Sequence, residues 1–197
     1  MKTFVASKNL GKLAEMRAIF SGSPLDLDTY PLYADVVEGD RSYDENAMLK
    51  ARALHEQLAQ AGISGAVLAD DSGLEVEALG NRPGVLSARY GGLEATWPSR
   101  RELLLEELAR IPDAPRAARF VCAMALILED GTTFQSRGEV SGAIAARAHG
   151  GFGFGYDPLF VFPPAAKTFA ELPDEQKNRV SHRRRAADAL LELLTRC

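Results

Sequence analysis

The chain has 197 residues, of which 46% are hydrophobic and 25% are charged, as in ordinary globular proteins. Its formal net charge of −4 argues against a general nucleic-acid binder, which usually carries a basic excess. Two cysteines, Cys122 and Cys197, make no disulfide framework and fit a reducing cytoplasm. The longest apolar run, 120–128, is too short to cross a membrane and predicts a buried strand.

The first part of the chain predicts alternating strands and helices. A strand over 3–6 leads into a polar loop over 7–11 and then a helix with apolar residues at helical spacing. A second strand covers 25–30. Ser42 and Glu45 have the spacing of a helix capping box, so we expect the next helix to begin there.

The central part predicts an acidic loop between two strands. The apolar segment 67–69 ends at Asp70-Asp71-Ser72-Gly73, and 74–78 alternates apolar and acidic residues, which indicates a half-buried strand. Ser99 and Glu102 repeat the capping-box spacing and predict a helix that is capped by Ser99.

The last part predicts a hairpin, a glycine-rich loop and a terminal helix. Asp130-Gly131 is a hairpin signal between two strands. The glycine-rich loop covers 150–155, a strand covers 159–162, and the last helix begins near Ser181. Strands mixed with helices, together with hairpins, predict an α/β fold with a mixed sheet.

The polar loop after the first strand is a candidate phosphate site. It lies before a helix, where unpaired N–H groups and a partial positive charge suit an anion. Gly11 permits close approach, Lys12 supplies a charge, and the spacing is not that of a Walker A loop. Taken alone, the pattern is explained more simply by an ordinary turn with a surface lysine. The candidate residues are Ser7, Lys8, Asn9, Leu10, Gly11 and Lys12.

The acidic residues are candidate metal ligands. Adjacent carboxylates at a strand end are costly unless a cation offsets them, and Mg²⁺ prefers one or two carboxylates with waters and substrate phosphates. Asp71 therefore suits a ligand or a group that orients the attacking water, and a solvated turn explains the pattern equally well. Glu38 lies outside the capping box and suits a second metal ligand. Glu45 is the alternative candidate for that second ligand.

Two further segments suit a nucleotide. The glycines and aromatics of 150–157 offer an accessible backbone and ring faces for a base, and Asp157 accepts hydrogen bonds. Lys177 and the basic run 181–185 form the densest basic cluster, and cations at a helix N-terminus conflict with its dipole unless an anion is present. Core packing and a solvated charge run are the alternatives. We favour function for His182 and Arg183.

Six motifs in order resemble the inosine/xanthosine triphosphate pyrophosphatase family. The resemblance runs from residue 3 to about residue 194. The motifs are Ser7-x-Asn9-x-x-Lys12-x-x-Glu15, Glu45-Asn46-Ala47 with Lys50-Ala51, Ala69-Asp70-Asp71-Ser72-Gly73-Leu74, Pro83-Gly84 with Ser87-Ala88-Arg89-Tyr90, Gly153-Phe154-Gly155-Tyr156-Asp157-Pro158, and Ser181-His182-Arg183.

The resemblance implies one domain over 1–197, with an elongated mixed β-sheet, flanking helices and two lobes around a central cleft. It implies a homodimer that hydrolyses non-standard purine triphosphates (ITP, dITP, XTP) to the monophosphate and pyrophosphate. The cofactor is Mg²⁺, the partner is a small nucleotide rather than a nucleic acid or a membrane, and the role is cleaning of the nucleotide pool.

The resemblance also assigns site residues. Asp71 is the proton acceptor and a metal ligand, Glu38 is the second metal position, and Lys12 is the central phosphate charge. The substrate-binding residues that it implies are Ser7, Lys8, Asn9, Leu10, Gly11, Lys12, Ser72, Phe154, Gly155, Tyr156, Asp157, Lys177, His182 and Arg183. The chain departs from the family pattern at Lys8, where a glycine is usual, and near Glu38, where one carboxylate is missing.

The expected reaction is water attack on the α-phosphorus with pyrophosphate as leaving group. We expect donors from His182, Arg183 and the backbone near Phe154 to select a 6-oxo base. Alternatives are a pyrophosphatase for modified pyrimidine nucleotides or dUTP, a nucleotide-sensing module without turnover, and RNA binding by the basic cluster.

Overall fold

The computed structural model describes residues 1–196, and Cys197 lies outside the described residues. Within that range the chain forms five α-helices and eight β-strands. The helices are α1 (Leu10–Ile19), α2 (Tyr43–Gln60), α3 (Trp97–Ala109), α4 (Asp174–Val180) and α5 (His182–Thr195). The strands are β1 (Lys2–Val5), β2 (Asp26–Asp28), β3 (Ala66–Val76), β4 (Arg82–Pro83), β5 (Ala117–Ile127), β6 (Thr133–Ile144), β7 (Phe160–Phe162) and β8 (Lys167–Thr168).

The strands form one mixed sheet, as the sequence predicted. Their order is β2-β1-β3-β5-β6-β7-β8, and β4 pairs with β3. Strand β1 is parallel to β2 and to β3. The pairs β3–β4, β6–β7 and β7–β8 are antiparallel. The turn at Asp130-Gly131 joins β5 to β6, and Gly131 has the positive φ of 87° that such a turn requires.

The chain divides into two compact units. Unit 1 comprises Met1–Asp71, Cys122–Gly138 and the chain from Ser181 onwards, and unit 2 comprises Ser72–Val121 and Glu139–Val180. Each unit has its own apolar core. The core of unit 1 includes Met16, Leu68 and Met124, and that of unit 2 includes Leu104 and Phe160.

The acidic segment is not a loop, which corrects the sequence-based prediction. Strand β3 runs without a break from Ala66 to Val76, so Asp70-Asp71-Ser72-Gly73 lies inside it. Neighbouring side chains of a strand point to opposite faces. The two carboxylates therefore lie on different faces of β3, and each has its own partners.

Two of the three predicted helix starts agree with the structure. Ser42 caps α2 and Ser181 caps α5, and each hydroxyl accepts a backbone N–H of the first turn. The predicted cap of α3 is wrong, because Thr96 rather than Ser99 accepts the N–H, and Ser99 is its donor. Pro98 is tolerated in the first turn, where its missing N–H has no partner in any case. Among residues 1–196 no helix is long and apolar enough to cross a membrane.

Candidate active site

Asp71 lies in a buried cluster of unit 1. Its Oδ1 is 3.1 Å from Lys50 Nζ, and its Oδ2 accepts a hydrogen bond of 3.1 Å from the Asn46 side chain. Lys50 Nζ also lies 2.8 Å from Glu38 Oε1. Two carboxylates thus converge on one ammonium group. Asp71 is 5% exposed, so these contacts are shielded from bulk water and are stronger than at a surface.

Burial and charge shift the ionisation of this cluster. Burial raises the pKa of Asp71 above its ordinary value, while the ammonium groups of Lys50 and Lys12 act to lower it. For Lys50, burial alone would lower the pKa. The carboxylates of Asp71, Asp70 and Glu38 outweigh burial, so its pKa is raised and the group stays charged. A carboxylate with a raised pKa suits a proton acceptor better than an ordinary aspartate does.

Asn46 ties the segment that carries Glu38 to Asp71. Its Oδ1 accepts the Gly39 N–H at 2.8 Å, and its Nδ2 donates to the Gly39 carbonyl at 3.2 Å as well as to Asp71. Asn46 is 2% exposed. One buried amide therefore fixes both the backbone next to Glu38 and the carboxylate of Asp71.

Asp70 organises a second buried cluster in unit 1. Lys12 Nζ lies 3.1 Å from Oδ1 and 3.0 Å from Oδ2 of Asp70. Arg183 Nη2 lies 3.2 Å from Asp70 Oδ2, and Arg183 Nη1 donates to Glu15. Arg183 is 1% exposed. The anions that offset this cation at the start of α5 are therefore the protein's own carboxylates.

The predicted phosphate loop leads into α1. Asn9 is the N-cap and accepts the Lys12 N–H at 3.1 Å, and its own N–H donates to Ser7 Oγ at 3.2 Å. Lys8, Asn9 and Leu10 are exposed, with Leu10 at 80%. The loop thus offers backbone and side-chain groups to an anion at the start of α1, and Lys12 brings its charge to Asp70.

The predicted base loop lies in unit 2. Asp157 Oδ2 accepts the Phe154 N–H at 2.8 Å and the ammonium group of Lys177. Lys177 is 1% exposed and lies 4.9 Å from the centre of the Phe154 ring. The Tyr156 ring is buried, and its hydroxyl donates to the Ser87 carbonyl at 3.1 Å. Phe154 is half-buried and Phe152 is 52% exposed, so these two aromatic rings of the loop are partly open to a base.

The structure groups the predicted residues by unit. Unit 1 holds Ser7, Lys8, Asn9, Leu10, Gly11, Lys12, Glu38, Asp71, His182 and Arg183. Unit 2 holds Ser72, Phe154, Gly155, Tyr156, Asp157 and Lys177. Lys177 therefore belongs to a different unit from His182 and Arg183, with which the sequence grouped it. Glu45, the open alternative to Glu38, is exposed, and its backbone N–H donates to the Ser42 cap.

The model of the Ham1 family matches residues 3–193. The chain belongs to the Ham1 family. This confirms the resemblance found in the sequence, because the match covers nearly the whole chain.

Relatives and solved structures that are similar over nearly the whole chain agree with this family assignment. The chain is 43% identical to a dITP/XTP pyrophosphatase of Geobacter sulfurreducens, covering 96% of this chain and 94% of the relative. It is 42% identical to one of Exiguobacterium sibiricum, covering 99% and 98%. A HAM1 protein from Coxiella burnetii has a TM-score of 0.87 at 37% identity, with 100% of both chains covered. A Ham1 protein of Staphylococcus aureus has a TM-score of 0.83 at 38% identity, covering 99% and 98%.

Sequence reasoning missed the roles of Asn46 and Lys50 in this Ham1 protein. Both lie one turn apart on α2, on the same side as the apolar Ala47, Ala51 and Leu54, and all five are buried. A lysine and an asparagine on the buried stripe of a helix need polar partners. That conflict was visible in the sequence and was the signal that they face a polar site.

Proposed function

We propose that this protein is a nucleoside-triphosphate pyrophosphatase that hydrolyses dITP, ITP and XTP to the monophosphate and pyrophosphate, and so removes non-standard purines from the nucleotide pool. The observation that carries the proposal is the buried carboxylate of Asp71, which faces Lys50 and Glu38 in a full-length member of the Ham1 family. Relatives named dITP/XTP pyrophosphatase support the substrate class.

The reaction replaces one P–O bond with another. The oxygen of water attacks the α-phosphorus, the bond from the α-phosphorus to the bridging oxygen breaks, and pyrophosphate leaves with that electron pair. The proton of the attacking water passes to Asp71. The protein mainly has to position the water and neutralise charge, and a buried carboxylate with a raised pKa suits the acceptor role.

Two lysines of unit 1 supply positive charge for the phosphates. Lys12 is held by Asp70, and its side chain stays 16% exposed. Lys50 lies between Asp71 and Glu38 and stays protonated. We assign both to charge neutralisation as the leaving pyrophosphate develops.

The residues present fit Mg²⁺. Among residues 1–196 no group of three or more Asp, Glu, His and Cys side chains converges on one point. Mg²⁺ is typically held by one or two carboxylates with waters and substrate phosphates. Asp71 and Glu38 offer two such carboxylates, which already converge on the cationic group of Lys50. When bound there, Mg²⁺ would withdraw charge from the phosphate oxygens.

Base recognition is assigned to the loop Phe154–Asp157 and to Lys177 in unit 2. A 6-oxo base accepts a hydrogen bond where adenine presents an amino group, so a fixed donor discriminates between them. Asp157 holds the Phe154 N–H and the ammonium group of Lys177 and so fixes the conformation of the loop that would present such donors. The family resemblance assigns Ser72, His182 and Arg183 to substrate binding as well.

We also propose that the enzyme is a single-domain homodimer of the cytoplasm. The family resemblance supports the dimer, and the buried free thiol of Cys122 suits a reducing compartment. Sedimentation equilibrium of the purified protein measures the dimer directly, and a monomer at micromolar concentration would contradict it.

A pyrophosphate-release assay with a panel of triphosphates tests the function. We expect turnover of dITP, ITP and XTP to exceed that of GTP, ATP and dUTP, and removal of Mg²⁺ with a chelator to abolish it. Preference for dUTP would favour the pyrimidine alternative. Tight nucleotide binding without turnover would identify a sensor and would refute the proposed reaction.

A further inference from the structure

We propose that Arg101 of helix α3 is a positioning residue for the loop Phe154–Asp157 and thereby for the choice of base. Arg101 belongs to none of the six motifs. The inference rests on the proposed function, in which that loop holds the base of the nucleotide. It concerns only contacts within unit 2.

The loop needs an external support at Gly155. Gly155 has a φ of +63°, and glycine has more conformational freedom than any other residue. On one side, Asp157 accepts the Phe154 N–H at 2.8 Å, and on the other the hydroxyl of Tyr156 donates to a backbone carbonyl. These two bonds anchor Phe154 and Tyr156, the neighbours of Gly155. Neither bond fixes the orientation of the Gly155 carbonyl.

Arg101 supplies that support. Its Nη1 donates to the Gly155 carbonyl at 2.8 Å. A bond from a charged guanidinium is stronger than one between neutral groups. A trans peptide unit is planar, so its N–H points away from its C=O. Holding the Gly155 carbonyl therefore also fixes the direction of the Tyr156 N–H, a donor of the kind that a 6-oxo base needs.

Trp97 braces the same loop from the same face of α3. Trp97 and Arg101 are four residues apart, so their side chains are neighbours on the helix. The Trp97 ring packs edge to face on Tyr156, with ring centres 5.5 Å apart. It also lies next to Gly155, where an added Cβ would be 3.6 Å from the ring. Helix α3 thus touches the loop through one charged and one aromatic side chain.

Kinetics of two Arg101 variants with a matched control test the proposal. The control is Arg110→Gln, since Arg110 is the C-cap of the same helix and its side chain is 73% exposed. We expect Arg101→Gln to raise KM for ITP about tenfold, as for one lost charge-assisted hydrogen bond, with kcat nearly unchanged and a lower preference for ITP over GTP. Arg101→Lys keeps one donor and should recover part of KM, and Arg110→Gln should match the wild type.

Fluorescence of Trp97, the single tryptophan of the chain, gives a readout without turnover. Titration with IMP should change its emission, and Arg101→Gln should need about tenfold more IMP. Absence of ITP hydrolysis by the wild-type enzyme would contradict the proposed function. Hydrolysis by the wild type, with equal KM and equal IMP midpoint in Arg101→Gln and Arg110→Gln, would overturn this proposal alone. A loss of kcat and melting temperature at unchanged KM would also overturn it.

Discussion

Replacement of Arg183 by methionine should destabilise the protein strongly. Arg183 is 1% exposed and donates to Asp70 and Glu15. Methionine fills much of the same space but leaves the Glu15 carboxylate without this cation, whereas Asp70 keeps Lys12. Removing one partner of a buried ion pair costs about 3–5 kcal/mol.

The cost is large relative to the total stability. The free energy of unfolding of a domain is about 5–15 kcal/mol. For a chain of this size, a loss of about 1 kcal/mol of that free energy lowers the melting temperature by about 2–4 °C. We therefore expect Arg183→Met to melt roughly 6–20 °C below the wild type. Thermal melting and urea unfolding, each followed by circular dichroism, measure the change.

Two further variants separate the charge effect from packing. Arg184 is the next residue on α5, but its pair with Asp188 is partly exposed, so Arg184→Met should change stability by less than about 1 kcal/mol. Adding Glu15→Gln to Arg183→Met removes the uncompensated charge and should recover part of the loss. Equal losses for Arg183→Met and Arg184→Met, or no recovery in the double variant, would refute the reasoning.

Three other variants test the site and the fold. Asp71→Asn should lower pyrophosphate release from ITP by at least about a hundredfold with an unchanged circular dichroism spectrum, and near-normal release would remove Asp71 from its role. Asn46→Ala loses its bonds to Gly39 and Asp71, so it should lose about 2–3 kcal/mol of stability and bind Mg²⁺ more weakly in calorimetry without nucleotide; unchanged values on both measurements would contradict its bridging role. Thr96→Ala should cost about 1 kcal/mol in urea unfolding, more than Ser99→Ala, and the reverse order would restore Ser99 as the cap.

Much of the fold could be predicted because its signals are local. The helix starts at Ser42 and near Ser181 and the turn at Asp130-Gly131 each depend on a few neighbouring residues, and the structure contains all three. The cap at Ser99 failed because Thr96, three residues earlier, offers the same hydroxyl to the same helix. Local spacing cannot decide between two adequate caps.

The site could be predicted in its residue types but not in its partners. Asp71, Lys12 and Glu38 were named from charge, position and family resemblance. That Lys50 faces Asp71 depends on how α2 packs beside β3 in unit 1. The buried stripe of α2 contained the signal, since a lysine in an apolar face requires a counter-charge.

The Asp70-Asp71 pair separates what the sequence determines from what only the tertiary structure decides. The sequence determined that two adjacent carboxylates needed compensation, because burying unpaired charge is costly. Only the tertiary structure placed them in a continuous strand. It paired Asp70 with Arg183, 113 residues further along the chain, and Asp71 with Lys50. The period of two in a strand is a local property, but which cations meet its two faces depends on which distant elements pack there.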